Sequence, residues 1–304
     1  IHLPTVLVEN HSLKPYKRRV LGTYVLLAES LALLAREQGS LATATATDRT
    51  SRPASIPLAF ERNENPAAEQ VLFKGIRSER YAGQVSGAEV VRWTGESSDQ
   101  QLHQFNVDVP TTVIKVPQAY IIPAAWSDIA ARIALHGIEV QRLGEAQTLK
   151  AEYYRLHGAG VAQSSRWTPN IFEGHIRIDP GAPEKQVLET TFPAGSFRVD
   201  TDQQLGELVV LMLEPEAPDS FLQWGFFLEI FNRTEYAEAY VLEPLAQAML
   251  EADPELKQRC EQKLAGDEEF AASSYRRLMW FYEQTPFYDQ QYLLYPVARI
   301  PRAE

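Results

Sequence analysis

Cysteine is almost absent. The lone thiol, Cys260, excludes an intrachain disulfide and any metal site built from several thiolates. Long apolar runs are absent too. No stretch approaches the roughly 18 consecutive apolar residues of a membrane-spanning helix, so no span is expected. Positive charge is scarce: 29 Lys and Arg stand against 40 Asp and Glu, a net charge of -11. Such a chain repels phosphate backbones, no basic cluster overrides this, and nucleic acid is not expected as a partner. The glycine loops of nucleotide sites are also missing, since Gly158-Ala159-Gly160 lacks the third glycine and its helix. No Gly-x-Ser-x-Gly elbow occurs. No initiator Met stands before Ile1. The chain is read as the C-terminal part of something longer, in which any signal peptide would stand upstream of Ile1.

What remains is ample for folding. A chain of 304 residues with 45% hydrophobic content has room for about two domains of ~150 residues. Pro4–Val8 reads as a strand that ends on Glu9-Asn10-His11. A helix follows over Lys17–Gln38. Val20, Leu21, Tyr24, Leu27, Leu31 and Leu34 form the apolar stripe of a helix lying on a core, and Gly39 is its expected C-cap. Ser40–Ser55, with its Ala-Thr repeat and Arg52-Pro53, reads as a linker. Short strands are expected over Ile56–Phe60, Val71–Arg77, Glu89–Trp93, Leu102–Val109 and Val113–Ile122, separated by turn residues such as Thr94-Gly95-Glu96. Ala124–Leu135 reads as a helix stopped at His136-Gly137, and Ile138-Glu139-Val140 as a new strand. Thr148–Leu156 alternates as a strand, and Phe172–Ile178 and Gln186–Phe192 read as a pair. From Gln203 the chain is mainly helical, over Gln203–Leu213, Tyr236–Ala252, Pro254–Ala265 and Glu268–Gln284, before a last strand at Tyr292–Ile300. The class is α+β: a terminal strand and helix of an α/β domain over 1–39, a linker over 40–55, then a β-sandwich-like module with C-terminal helices over 56–304.

Few residues carry chemistry. Glu9 and His11 are two apart, so an extended strand would put both on one face. A carboxylate at a strand end can serve as general base on a water and then as general acid to a leaving group. A solvated Glu and a hydrogen-bonded His at an ordinary strand end account for the same residues. His136-x-x-Glu139 imitates the ligand pair of zinc peptidases, but Gly137 stops the helix between them and no third ligand is at hand, so no metal is assigned. Asp200-x-Asp202 sits where the next helix needs an N-cap, and Thr201 or Asp202 can supply it. Glu173-Gly174-His175 has no third partner. The aromatic groups Trp224-Gly225-Phe226-Phe227 and Trp280-Phe281-Tyr282 suit core packing.

The segment Leu7-Val8-Glu9-Asn10-His11-Ser12-Leu13-Lys14-Pro15-Tyr16, with Arg19-Val20 and Thr23-Tyr24, resembles the last catalytic strand and helix of bacterial zinc carboxypeptidases of the carboxypeptidase A superfamily. The tails of such proteins are similar to Ala119–Pro123 with Trp126, Leu135–Val140 and Phe192–Phe197. The likeness continues over Leu213-Glu214-Pro215-Glu216, Asp219-Ser220 and Trp224–Phe227. The resemblance implies that Glu9 is the catalytic glutamate and His11 a substrate contact. It implies a peptide substrate, an upstream peptidase domain as partner, and a periplasmic or extracellular location. The family's zinc is held by a His-x-x-Glu pair and a later His, all upstream of this glutamate. Zinc is therefore expected in the parent protein and not in this chain alone, which should not hydrolyse peptides by itself. Two other readings stand beside this one: a peptide- or glycan-binding module without catalysis, and a structural module that supports a peptidase domain.

Overall fold

The computed structural model describes residues 2–65, 70–158, 167–170, 175–233 and 238–302. The chain divides into two compact units, Pro53–Lys115 and the remainder.

The larger unit opens on an irregular stretch. Residues 4–8 form no strand. A strand exists only through its ladder partner, and these residues pair with none among the described ones. Helix α1 then runs from Tyr16 to Thr50, and none of its 35 residues is buried. The core contact expected of its apolar stripe is not made. Nor does it stop at Gly39. Leu41–Thr47, read above as linker, continues the helix for a local reason. Alanine is the strongest helix former, and it offsets the weaker threonines, whose hydroxyls at Thr43 and Thr47 donate to the carbonyls of Gly39 and Thr43, four residues back, at 2.9 and 3.0 Å. The helix ends at Ser51, which is extended (ψ 138°), two residues before Pro53.

The smaller unit is all β. Strands β1 (Ser55–Arg62) and β4 (Val107–Lys115) pair antiparallel, and β2 (Gln70–Ala82) pairs with β3 (Glu89–His103). The expected turn at Thr94-Gly95-Glu96 is a bulge inside β3. The register steps from Ser78↔Trp93 to Ile76↔Ser97, and Gly95 takes up the excess with φ +90°. The strand expected over Leu102–Val109 is interrupted at Gln104–Asn106. That expected over Val113–Ile122 is divided between the two units.

After Lys115 one six-stranded sheet forms in place of a sandwich, in the order β10-β7-β12-β5-β11-β6. Its strands are β5 (Ala119–Ile122), β6 (Gln141–Arg142), β7 (Gln147–His157), β10 (Ala182–Phe192), β11 (Phe197–Asp200) and β12 (Ala298–Ile300). Every pair is antiparallel. The pair expected between Phe172–Ile178 and Gln186–Phe192 does not form. Strand β9 (His175–Ile178) pairs with β8 (Trp167–Asn170), while β10 is matched to β7 along its whole length, from Ala182↔His157 to Phe192↔Gln147. Residues 172–174 lie outside the described residues. All of β5 is buried. Ile121 packs with Leu143, Ala151, Tyr153, Phe192 and Ala298, and the alternation of strands sends Tyr120 and Tyr154 to the opposite face.

Helix α2 (Ser127–Leu135) buries Ile129, Ala130 and Ile133. The next helix, α3 (Gly206–Leu213), is shorter than expected and lacks a side-chain cap. Thr201 has another role: its hydroxyl donates to the carbonyls of Pro117 and Gln118 at 2.6 and 3.1 Å. The carbonyl of Thr201 thereby abuts Gly206, where an added Cβ would lie 1.9 Å from that oxygen. Gly206→Ala is therefore expected to cost about 1–3 kcal/mol or more, and urea unfolding would measure it. The aromatic-rich stretch Asp219–Asn232 is mostly turns, with one 3-10 turn at Leu228–Phe231. Helices α4 (Ala239–Ala252), α5 (Pro254–Gly266), α6 (Glu268–Ala272) and α7 (Ser274–Tyr282) close the unit. Ser273 caps α7 through the N–H of Arg276 and so splits the helix expected over Glu268–Gln284. Ala246, Leu256, Cys260 and Phe281 form the core of this bundle.

Candidate functional site

Glu9 lies exposed in the irregular stretch before α1. The same-face argument for Glu9 and His11 required a strand that is not there. A short hydrogen-bonded network holds the region instead. Asn10 donates its amide to the Thr23 hydroxyl at 2.8 Å, and that hydroxyl donates to the Arg19 carbonyl at 3.0 Å. His11 accepts the N–H of Leu13 at its Nδ1, 3.1 Å away. Glu9 is thus carried at the N-terminal end of α1 on a tethered turn.

The helix stops between the two members of the zinc-like pair, at Gly137 with φ +81°. His136 is the exposed C-cap of α2. The expected strand over Ile138–Val140 is absent, because the backbone there is committed elsewhere. The Glu139 N–H donates to the Gln203 side-chain oxygen at 2.8 Å, and the Gln203 amide donates back to the Glu139 carbonyl at 3.3 Å. Asp200 accepts from Arg198, and Asp202 pairs with Arg52 at 2.9 Å. His175 stacks on Trp224 with ring centroids 3.9 Å apart, while Glu173 and Gly174 lie outside the described residues. Among the described residues no group of three or more His, Cys, Asp or Glu could hold a metal.

The strongest electrostatic feature of the large unit is one that the sequence did not single out. Glu214, 1% exposed, follows directly on α3 and points beneath the sheet. Its two oxygens accept the hydroxyls of Tyr120 and Tyr154, at 2.5 and 2.6 Å. Arg299 on β12 donates Nε to the same carboxylate at 2.8 Å and an Nη1 hydrogen bond to Glu152 on β7. Its guanidinium also lies 5.5 Å from the Tyr154 ring centroid. Tyr295 adds a bond from its hydroxyl to the Leu213 carbonyl at 2.8 Å. One carboxylate therefore ties together β5, β7, β12 and the end of α3. Burial and then the Glu214 charge hold the phenols of Tyr120, Tyr154 and Tyr295 above their ordinary range. Burial alone would lower Arg299, but Glu214, Tyr154, Tyr120 and Glu152 together outweigh it and raise the guanidinium above its ordinary range. At the margin, burial and then Arg299 lower Lys185, while burial and then Glu214 raise Glu216.

The raised phenols carry a pH prediction. Unfolded tyrosine titrates near pH ~10. A phenol held higher in the folded state binds its proton more tightly there. Its contribution to stability is complete below about pH 10 and is lost as pH rises beyond that. Alkaline titration followed by tyrosinate absorbance should thus show two phases. Tyr120, Tyr154 and Tyr295 should ionise only in the phase coupled to unfolding, and Tyr120→Phe should reduce that phase alone.

The same unit contains a cleft of about 590 Å³ on the Tyr153 face of the sheet. Its floor is the second half of β10 and Tyr153. Its walls come from Pro123–Trp126, from the 3-10 turn at Leu228–Phe231 and from Asp289–Pro296.

The described residues make a mixed α and β protein whose fold alone does not define a peptidase. Comparison with known proteins adds a partial similarity. The chain is 28% identical over 138 residues to carboxypeptidase 2 of Trichophyton tonsurans, and 29% identical over 148 residues to carboxypeptidase 2 of Trichophyton equinum. Carboxypeptidase 2 of Trichophyton rubrum is 27% identical over 138 residues. Each match covers 42% of this chain and 24% of the relative, so the chain spans about a quarter of the length of the curated relatives it matches. No protein-family model and no solved structure matches it. These similarities support a carboxypeptidase-like relationship. No helix among the described residues is long and apolar enough to cross a membrane.

Proposed function

We propose that this chain is the C-terminal part of a zinc carboxypeptidase-like peptidase, and that Glu9 is its general base and acid. The observation that carries this reading is the similarity to three proteins named carboxypeptidase. A second supports it. Helix α1 presents Val20, Leu21, Tyr24, Leu27, Leu31 and Leu34 with none of them buried. Full burial of a Val or Leu side chain is worth about 1.5–3 kcal/mol, and a lone helix in water is marginal. A helix of this composition is suited to lie on a core, which in this reading is the rest of the peptidase domain. His11, in the turn beside Glu9, contacts the peptide substrate.

The described residues of this chain do not fit a zinc site. The ligands in this reading lie in the upstream domain, and the chain alone is inactive. What Glu9 supplies is proton transfer. Its carboxylate takes a proton from the water whose oxygen attacks the peptide carbonyl, and returns one to the amine as the C–N bond breaks. The test is hydrolysis of peptides with a free C-terminus by the longer protein that contains this sequence. Release of the terminal amino acid, stopped by a chelator and restored by zinc, is the expected result. Hydrolysis indifferent to chelation, or none from a folded protein, would contradict it. The non-catalytic alternative, a peptide-binding module, draws support from the cleft against β10.

A further inference from the structure

We propose that the outer edge of β10 pairs with the same edge of a second copy of this chain, joining two six-stranded sheets across a twofold axis at Val187. The inference rests on the strand edge alone and does not depend on the peptidase reading.

The first observation is which backbone groups that edge presents. β10 stands at the end of the six-strand order, and among the described residues it pairs only with β7. On β7, the Leu156 N–H donates to the Leu293 carbonyl at 2.9 Å, and the Tyr154 carbonyl accepts the Tyr295 N–H at 2.8 Å. Both residues therefore turn their backbone groups away from β10. In an antiparallel ladder two opposed residues either exchange both bonds or both turn away. Pro183 lies opposite Leu156 and Lys185 opposite Tyr154, so both face outward. By alternation Val187, Glu189 and Thr191 face outward too, since the register runs without a shift from Ala182 to Phe192. Proline has no N–H to give, and Pro183 stands near one end of this row and not at its centre.

The second observation is the order of side chains along the row. Val187 is the middle residue of β10, and Lys185 and Glu189 stand two residues to either side of it. When two antiparallel copies meet at Val187, Lys185 falls opposite the partner's Glu189, and Glu189 opposite the partner's Lys185. Val187 meets the partner's Val187. Thr191 meets the partner's Pro183, whose carbonyl accepts its N–H. Every one of these is an outward residue, so an isologous ladder closes along the whole strand. Sliding one copy by two residues takes both charges away from their complements. Sliding it by four sets Lys185 against the partner's Lys185, or Glu189 against the partner's Glu189. Opposite charges across a ladder stabilise it and like charges oppose it, so the charges select one register.

The third observation is that these side chains are available. Val187 is 66% exposed, and Lys185 and Glu189 are exposed as well. Glu189 lies opposite Lys150 on β7 without an ion pair between them. Lys185 rests its Nζ 5.5 Å from the Tyr154 ring centroid and has no ion pair among the described residues. Proline and lysine on a sheet edge ordinarily keep foreign strands away. Here Lys185 admits the strand that sets a glutamate against it.

The test is sedimentation velocity of the 304-residue chain over a concentration series. A monomer–dimer equilibrium is expected. Glu189→Lys turns two attractive pairs into two repulsive ones and should weaken the dimer by at least about tenfold. Lys185→Glu should do the same. An equimolar mixture of these two variants should associate again, because each charge then faces its complement. Val187→Pro removes an outward N–H at the centre of the row and spares the bonds to β7, so it should fold and remain monomeric. A monomer at every concentration, a dimer that persists in Val187→Pro, or folded single variants whose mixture does not associate would each overturn the proposal.

Discussion

Replacing Glu214 by alanine is expected to destabilise the large unit by about 3–5 kcal/mol. Glu214 and Arg299 are 1% and 3% exposed, and neither can recover water if its partner is removed. The mutation removes one of the two carboxylates bonded to the buried guanidinium, and leaves two phenol hydroxyls without that acceptor. Glu214→Gln should cost less, because an amide oxygen still accepts from one tyrosine, although it no longer brings a negative charge to Arg299. Replacing Glu214 and Arg299 together with apolar residues of similar volume should recover most of the loss, since a buried ion pair offsets its own desolvation only narrowly. Denaturant midpoints of the three variants, read by the buried tyrosines, would check the order. If Glu214→Ala unfolds at the wild-type midpoint, the carboxylate is not the tie between strands described above.

That network was not legible in the sequence, because its partners are 60, 85 and 94 residues away from Glu214. A local signal did exist. Glu214 ends the apolar run of α3, and Arg299 interrupts Val297-Ala298 and Ile300. A charge embedded in a buried run calls for a partner. Punctuated elements were read well. Asp253-Pro254 starts α5 at the expected residue, because Asp253 accepts the N–H groups of Glu255 and Leu256 and proline suits the first helical position. Ile56–Phe60 falls inside β1, and Thr148–Leu156 inside β7. The failures share a physical form. Pro4–Val8 has the composition of a strand without a ladder. Leu41–Thr47 looks low in complexity, yet its alanines favour helix, and the hydroxyls of Thr43 and Thr47 find acceptors within it. Gly95 reads as a turn, although a bulge can absorb it. In each case composition was informative and the pairing partner was not visible.

The second large effect is expected at Glu9. In the longer peptidase proposed to contain this chain, Glu9→Gln should reduce turnover by about 10²–10⁴-fold, the range that a positioned proton-transfer group contributes. Gln keeps the size and polarity of Glu and cannot carry the proton. Because the loss is confined to the chemical step, kcat and kcat/KM should fall together. Folding should not change, since Glu9 is exposed. His11→Ala should act differently, raising KM more than it lowers kcat, because its proposed part is contact with the substrate. The decisive measurement is made on one preparation of the Glu9→Gln protein: zinc content and the rate of C-terminal residue release, each against wild type. The account predicts equal zinc and a rate lower by two to four orders of magnitude. Equal zinc with a near-normal rate would contradict it.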